Sequence, residues 1–150
     1  MNIKRIADEE FINKYIPHLN ENQRKAVLTI EGPILLLAVP GSGKTTVLVN
    51  RLGYMLFCKG INPDKILTLT YTVAATRDMS RRFAALYGQE NANLLEFRTI
   101  NSICLKIIRS YANSIGRSAP DIISEDKAAK LISKILINYL SEFTELKVLI

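Results

Sequence analysis

The sequence contains no tryptophan, only two cysteines and one histidine among its 150 residues. Cys58 and Cys104 both fall in apolar segments without paired spacing, which predicts reduced thiols in the core rather than disulfides. His18 has no cysteine or histidine cluster around it, so a zinc-type site is excluded. The longest apolar run covers residues 34–39, far short of the ~20 residues that a membrane-spanning helix needs. We therefore expect a soluble, cytoplasmic protein.

Positive charge is in modest excess: 20 Lys and Arg against 14 Asp and Glu give a formal net charge of +6. This excess is compatible with a polyanionic partner, but a solvated basic surface explains it equally well before any motif is considered. The composition, 48% hydrophobic and 23% charged, is typical of a globular domain and excludes disorder. The first ten residues carry acids and no apolar run, which excludes a signal peptide.

Three short apolar runs, each followed by a helical pattern, predict alternating strands and helices. The runs begin at Ile34, Ile66 and Leu94. Ile34–Ala38 has no polar alternation, as in a strand buried on both faces of a parallel sheet. The helices are predicted over Thr45–Phe57, Ala74–Leu86 and Ile100–Tyr111, the second ended by Gly88. This order predicts an α/β fold, a parallel sheet with flanking helices joined by right-handed crossovers.

Two further helices are predicted outside this pattern, a short one over Asn20–Ile30 and one after a Ser, Gly and Pro connector at residues 114–120. Ser124 is the predicted N-cap of the second. We expect its apolar residues, like those of Ile100–Tyr111, to be core: Leu131, Ile132, Ile135, Leu136, Tyr139 and Leu140. The chain ends on the apolar residues Val148–Ile150 without a stop signal, so we interpret it as a piece of a longer protein.

The segment between the first predicted strand and its helix, Ala38–Thr46, has the strand–loop–helix context of a phosphate-binding loop. Glycines let successive N–H groups converge on phosphate oxygens, and the helix N-terminus adds partial positive charge. Lys44 is placed to reach the β- and γ-phosphates, and Thr45 to hold Mg²⁺, so both are predicted catalytic residues. ATP and Mg²⁺ are the predicted cofactors, bound by Pro40, Gly41, Ser42, Gly43, Lys44, Thr45 and Thr46. A turn that uses glycines for tightness alone would not explain the lysine and threonine.

Polar residues elsewhere extend this site. The Gln23 amide offers a paired donor and acceptor that complement the N6–H and N7 edge of adenine. Thr70-Tyr71-Thr72 and Arg98–Ser102 follow the second and third predicted strands, where ligands of open α/β sheets gather. On spacing alone Tyr71 could also be an aromatic residue packed under the next helix.

These segments resemble the N-terminal part of the UvrD/Rep family of superfamily 1 DNA helicases across essentially the whole chain. Leu19-Asn20 with Gln23 is similar to the family's Q motif, and Gly32–Thr45 is similar to its motif I. Thr70–Met79 is similar to motif Ia, and Arg98–Ser102 to motif Ib. Departures are Val39 for the usual Gly, Val73-Ala74 where Asn followed by Lys or Ala is frequent, and Ile100-Asn101 for the common Phe-His.

The resemblance implies a RecA-like P-loop lobe over residues 1–115, the start of a helical insertion over 116–150, and a remainder that lies beyond this chain. It implies ATP-dependent movement along single-stranded DNA, 3′ to 5′, with duplex unwinding, as in DNA repair. The implied DNA contacts are Thr70, Tyr71, Thr72, Thr99, Asn101 and Ser102. Two alternatives stay open: a subunit of a recombination helicase–nuclease, or a non-enzymatic nucleotide- or DNA-binding module.

Overall fold

The computed structural model of the chain describes residues 3–140. In chain order these form α1 (Asp8–Tyr15), α2 (Glu21–Leu28), α3 (Lys44–Phe57), a short 3-10 helix (Pro63–Lys65), β1 (Leu67–Thr70), α4 (Val73–Tyr87), α5 (Gln89–Ala92), β2 (Glu96–Thr99), α6 (Ile100–Ser114) and α7 (Glu125–Leu140). Within residues 3–140, no helix is both long enough and apolar enough to cross a membrane. The chain divides into two compact units, Met1–Leu105 and Lys106–Ile150. The predicted apolar ending at Val148–Ile150 lies outside the described residues.

The second and third predicted strands are confirmed as a parallel pair. β1 and β2 are in register from Leu67 opposite Glu96 to Thr70 opposite Thr99, and α4 connects them. α4 begins where the Thr72 hydroxyl accepts the N–H of Ala75 at 3.1 Å, as expected of an N-cap. The two carboxyl ends of the strands therefore lie side by side, with the starts of α4 and α6 beside each other.

The prediction that the first apolar run forms a strand of the parallel sheet is wrong. Ile34–Ala38 lies outside the helices and paired strands of the described residues. Leu35 and Leu37 are each 82% exposed instead of buried. A strand of a parallel sheet is buried only when neighbouring strands pair with it and helices cover both faces. No segment within residues 3–140 pairs with this one, so the apolar pattern indicates a strand that lacks its neighbours here.

The core of the first unit is an aromatic cluster that joins α1, α3 and α4. Its rings, with centroids 4.8–6.2 Å apart, are those of Phe11, Tyr15, Tyr54, Phe57, Phe83 and Tyr87. Sequence analysis missed α1, which supplies the fully buried Phe11. The signal was present, because three acids stand in the first turn of α1 and Lys14 in its last, where each charge suits the helix dipole.

A buried polar pair ties α3 to α4. The Tyr87 hydroxyl donates to Asn50 Oδ1 at 2.7 Å, and Asn50 Nδ2 donates to the carbonyl of Thr46 at 2.9 Å. Asn50 is fully buried. The Tyr87 ring lies directly over Gly53, where a Cβ would come within 2.3 Å of Tyr87 Cζ. The first turn of α3 is therefore connected to the end of α4 through two side chains.

The predicted core rows of α6 and α7 are wrong for the side chains that the structure describes. Ile107 is 61% exposed and Tyr111 is 65% exposed. On α7 the exposed fraction is 51–59% for Leu131, Ile132, Ile135 and Leu136, and the side chains of Tyr139 and Leu140 lie outside the described set. An amphipathic pattern predicts a helix correctly, but its apolar face is buried only when a second surface covers it. The Ser124 cap is confirmed, since Ser124 Oγ accepts the N–H of Lys127 at 3.4 Å.

Both cysteines carry free thiols, as predicted, but neither belongs to the buried core. Cys58 is half-buried at the end of α3, and Cys104 is exposed on α6. The expectation of a core thiol is therefore wrong for Cys104, whereas Cys58 packs against the core but is only partly buried. The error for Cys104 has the same cause as for the rest of α6: its helical face has no covering element among the described residues.

Candidate nucleotide-binding site

The loop that enters α3 has the backbone of an anion-binding turn. Gly41 and Gly43 have φ of 80° and 84°, which residues with a Cβ rarely adopt. α3 begins at Lys44, directly after Gly43, with no side-chain cap and no acidic residue in its first turn. The first N–H groups of a helix have no intrahelical partner, and they carry partial positive charge. This end of α3 is therefore open to an anion.

The Lys44 side chain folds back under the loop. Its Nζ donates to the carbonyls of Ala38 at 3.0 Å and Val39 at 2.8 Å, and Ser42 Oγ donates to the same Val39 carbonyl at 2.7 Å. These bonds close the loop into a compact turn around the ammonium group. An ammonium group has three N–H donors, so two hold the loop and one is left for a ligand.

The Gln23 side chain connects α2 to this loop. Gln23 forms a capping box with Asn20: Asn20 Oδ1 accepts the Gln23 N–H at 2.9 Å, and Gln23 Oε1 accepts the Asn20 N–H at 3.1 Å. Gln23 Nε2 donates to the carbonyl of Ser42 at 3.1 Å. An amide has two N–H donors and two acceptor lone pairs. One donor and one acceptor therefore remain, on an amide whose orientation the backbone partners define.

A cleft lies between the first turn of α2 and the loop. Asn22 and Gln23 line one side, and Leu37–Val39 with Lys44 line the other. At Gly43 a Cβ would lie 3.4 Å from Gln23 Nε2, which is van der Waals contact, so this position favours glycine because of its φ of 84°. The cleft thus combines an apolar wall with an amide and an ammonium group, as a nucleotide site requires.

The remaining loop residues are contiguous with this cleft. Pro40 and Gly41 are exposed, whereas Thr45 and Thr46 are half-buried in the first turn of α3. The backbone N–H groups and the ammonium group can donate hydrogen bonds to the phosphates of a nucleotide. The threonine hydroxyl oxygen can serve as a ligand for the Mg²⁺ that accompanies those phosphates. The structure therefore brings Gln23 together with the residues predicted from the loop sequence.

Four of the six predicted DNA contacts have local structural partners. The buried Thr70 hydroxyl bonds the Thr72 carbonyl at 3.1 Å and the Thr76 hydroxyl at 2.5 Å. Thr72 caps α4, and Thr99 Oγ1 accepts the N–H of Ser102 at 3.2 Å. Ser102 Oγ donates to the Thr99 carbonyl at 2.9 Å. These hydroxyl groups set the starts of α4 and α6.

The other two predicted DNA contacts face solvent. Tyr71 is 89% exposed, so the alternative in which it packs under α4 is wrong. Asn101 is exposed at the start of α6. Of the basic residues on α4, Arg81 and Arg82 form salt bridges with Asp78 at 2.7 Å. Tyr71 and Asn101 therefore expose their side chains to solvent beside the carboxyl ends of β1 and β2.

Comparison with known proteins identifies the family. The model of the UvrD/REP helicase N-terminal domain matches residues 19–148. The chain belongs to the UvrD/REP helicase family. It is 40% identical over 105 residues to ATP-dependent DNA helicase PcrA of Staphylococcus aureus (strain Mu50 / ATCC 700699) and to the PcrA of Staphylococcus epidermidis (strain ATCC 12228 / FDA PCI 1200). Each match covers 70% of this chain and only 14% of the relative's length.

Arg51 lies near the site of this UvrD/REP chain, and the sequence alone assigned it no role. Arg51 Nη1 on α3 donates to the carbonyl of Ala26 at 2.7 Å and also to the carbonyl of Thr29, both at the end of α2. Burial lowers the pKa of Arg51. The contact joins residues 22 and 25 positions apart, so it depends on how α2 packs against α3 and has no local sequence signal.

Proposed function

We propose that the chain is the ATP-binding part of a DNA helicase, which couples ATP hydrolysis to translocation on single-stranded DNA and to duplex unwinding. The observation that supports this best is the loop that enters α3, with two left-handed glycines, an uncapped helix start and the Lys44 ammonium beneath it. The PcrA relatives compared above are named as ATP-dependent DNA helicases. Because the match spans 14% of their length, the activity is proposed for the complete protein.

The nucleotide roles follow from the groups around the cleft. ATP phosphates would lie against the N-terminus of α3, where Lys44 neutralises their charge and Thr45 offers its hydroxyl to Mg²⁺. Pro40, Gly41, Ser42, Gly43 and Thr46 would form the rest of the cradle. When bound, Mg²⁺ supplies charge neutralisation between the phosphates. The remaining donor and acceptor of Gln23 would bind the adenine edge.

Single-stranded DNA would bind at the carboxyl ends of β1 and β2. Tyr71 offers an open ring face on which an unpaired base can stack, whatever its identity. Asn101 offers an amide to the DNA backbone. Thr70, Thr72, Thr99 and Ser102 contribute to this surface by fixing the helix starts that carry Tyr71 and Asn101.

We also propose the division of roles along the chain that the family resemblance implies. Residues 1–115 would be the first RecA-like lobe, and residues 116–150 would begin its helical insertion. The catalytic groups that complete ATP hydrolysis would then lie in the rest of the complete protein, which we expect to act in the cytoplasm. The chain alone is expected to bind ATP with almost no turnover.

Steady-state ATP hydrolysis by the complete protein, stimulated with single-stranded DNA, tests the proposal. Lys44→Ala should lower the rate by on the order of 10²-fold or more, because the phosphate charge loses its fixed cation. Lys65→Ala is the matched control, since Lys65 is an exposed lysine in the 3-10 helix, and it should leave the rate unchanged. Turnover by Lys44→Ala at the level of the parent would refute the nucleotide assignment. Binding of labelled oligonucleotides across a salt series tests the DNA assignment separately.

A further inference from the structure

α2, which carries Gln23, is held at both of its ends. At the N-terminal end Gln23 Nε2 bonds the Ser42 carbonyl of the loop at 3.1 Å. At the C-terminal end Arg51 Nη1 bonds the carbonyls of Ala26, at 2.7 Å, and Thr29. Of the eight residues of α2, only Val27 is buried. Ala26 and Leu28, beside Val27, pack partly buried against the core. Core packing therefore anchors the C-terminal half of α2, and the Gln23 and Arg51 contacts hold its two ends.

The Arg51 contact has the chemistry of a helix cap supplied from a neighbouring helix. The last carbonyls of a helix have no intrahelical partner, and they carry partial negative charge. A guanidinium group is planar, remains charged and has five N–H donors, so it can bridge two carbonyl groups. Arg51 uses this capacity at the end of α2 and at Thr29, where the chain leaves the helix toward the loop.

We propose that Arg51 is a positioning residue for base recognition. By bridging Ala26 and Thr29 it fixes the orientation of α2, and so it holds the Gln23 amide against the phosphate loop. This inference rests on the proposed function, because it requires that ATP binds at the loop with its base toward Gln23. The loop is also closed by its own Lys44 and Ser42 hydrogen bonds to the carbonyls of Ala38 and Val39, so its phosphate-binding groups keep their places when α2 shifts. Loss of Arg51 should therefore weaken recognition of the base and spare recognition of the phosphates.

Equilibrium binding of two probes to the 150-residue chain separates these effects: ATP with Mg²⁺, and inorganic tripolyphosphate with Mg²⁺. Arg51→Gln should weaken ATP binding about tenfold, which corresponds to about 1.4 kcal/mol, and leave tripolyphosphate affinity within about twofold. Combined with Gln23→Ala, Arg51→Gln should have almost no further effect on ATP, because both changes act through one amide. Arg5→Gln is the matched control, since Arg5 Nη1 bonds the Cys58 carbonyl at 3.2 Å near the other end of α3. It should bind both probes like the parent.

Three results would overturn the inference. They are unchanged ATP affinity in Arg51→Gln, equal losses for ATP and tripolyphosphate, or losses that multiply in the double variant. If Arg51→Gln does not fold, Arg51→Lys decides, because lysine keeps the charge but replaces the planar guanidinium with a compact, strongly hydrated ammonium group. Its ATP affinity should fall about threefold with tripolyphosphate affinity unchanged, and parent-like ATP affinity would overturn the inference. If the parent chain binds neither ATP nor tripolyphosphate, the proposed function is overturned together with this inference.

Discussion

Removal of the Tyr87 hydroxyl tests whether the buried pair between α3 and α4 stabilises the site-bearing helix. Tyr87→Phe keeps the ring and its aromatic contacts, so the only loss is the 2.7 Å hydrogen bond to Asn50. Because Asn50 is 0% exposed and Tyr87 only 6%, water cannot replace the donor, and Asn50 Oδ1 stays buried without one. Leaving a buried acceptor unsatisfied costs about 1–3 kcal/mol. We expect the free energy of unfolding to fall by that amount.

Urea unfolding followed by far-UV circular dichroism measures this difference. Tyr111→Phe is the matched control, because Tyr111 is 65% exposed and surface changes of this kind stay within about 0.5 kcal/mol. Combining Tyr87→Phe with Asn50→Leu removes both polar groups, so the double variant should cost less than the sum of the two single variants. Unfolding free energies of Tyr87→Phe and Tyr111→Phe that are equal within error would refute the reasoning.

Three further predictions concern the surface and the titratable groups. Tyr71→Ala should weaken binding of single-stranded DNA by about 1–3 kcal/mol whatever its sequence, while Tyr71→Phe keeps the affinity; equal losses in fluorescence-anisotropy titrations would contradict base stacking. Iodoacetamide should alkylate the exposed Cys104 well before Cys58, because burial raises the pKa of the Cys58 thiol to about 11; equal rates by mass spectrometry would contradict this. The hydrogen bond from Lys59 lowers the pKa of Asp8 below its ordinary value of 3.8, so Asp8 adds stability that is present above that pH and is lost as the pH falls through the lowered pKa. Asp8→Asn should therefore lower the urea midpoint at neutral pH, with a difference that shrinks as the solution is acidified; a difference that stays constant from neutral pH into acid would contradict it.

Local signals predicted five of the seven α-helices and both strands of the described residues. Ser124, the predicted N-cap of α7, caps that helix in the structure, because a cap depends on residues only two or three positions away. Gly88 ends α4 as predicted. The positive φ of Gly41 and Gly43 follows from the same short-range chemistry, which made the loop recognisable before its geometry was known.

Burial was predicted less well, because it depends on what covers a surface. The apolar row of α7 and the run Ile34–Ala38 predict hydrophobic faces correctly, but Leu35 and Ile135 are 82% and 59% exposed. The sequence pattern indicates that an apolar face must be covered by another helix or strand, but it does not indicate which element covers it or where that element lies.

Contacts between distant residues were not predictable in the site either. Gln23 was predicted to face adenine, and the structure shows its Nε2 bonded to the Ser42 carbonyl, 19 positions away. The bridge from Arg51 to Ala26 and Thr29 arises in the same way from the packing of α2 on α3. Such contacts appear only when the helices are placed beside each other.

The proposed function depends on the loop that enters α3 binding the triphosphate of ATP. A crystal structure of the chain with Mg²⁺ and a non-hydrolysable ATP analogue tests it most directly. We expect phosphate oxygens against the first N–H groups of α3, Lys44 Nζ in contact with them, and the adenine edge at Gln23. A fully formed loop without phosphate density, with Lys44 still bonded only to the carbonyls of Ala38 and Val39, would contradict it.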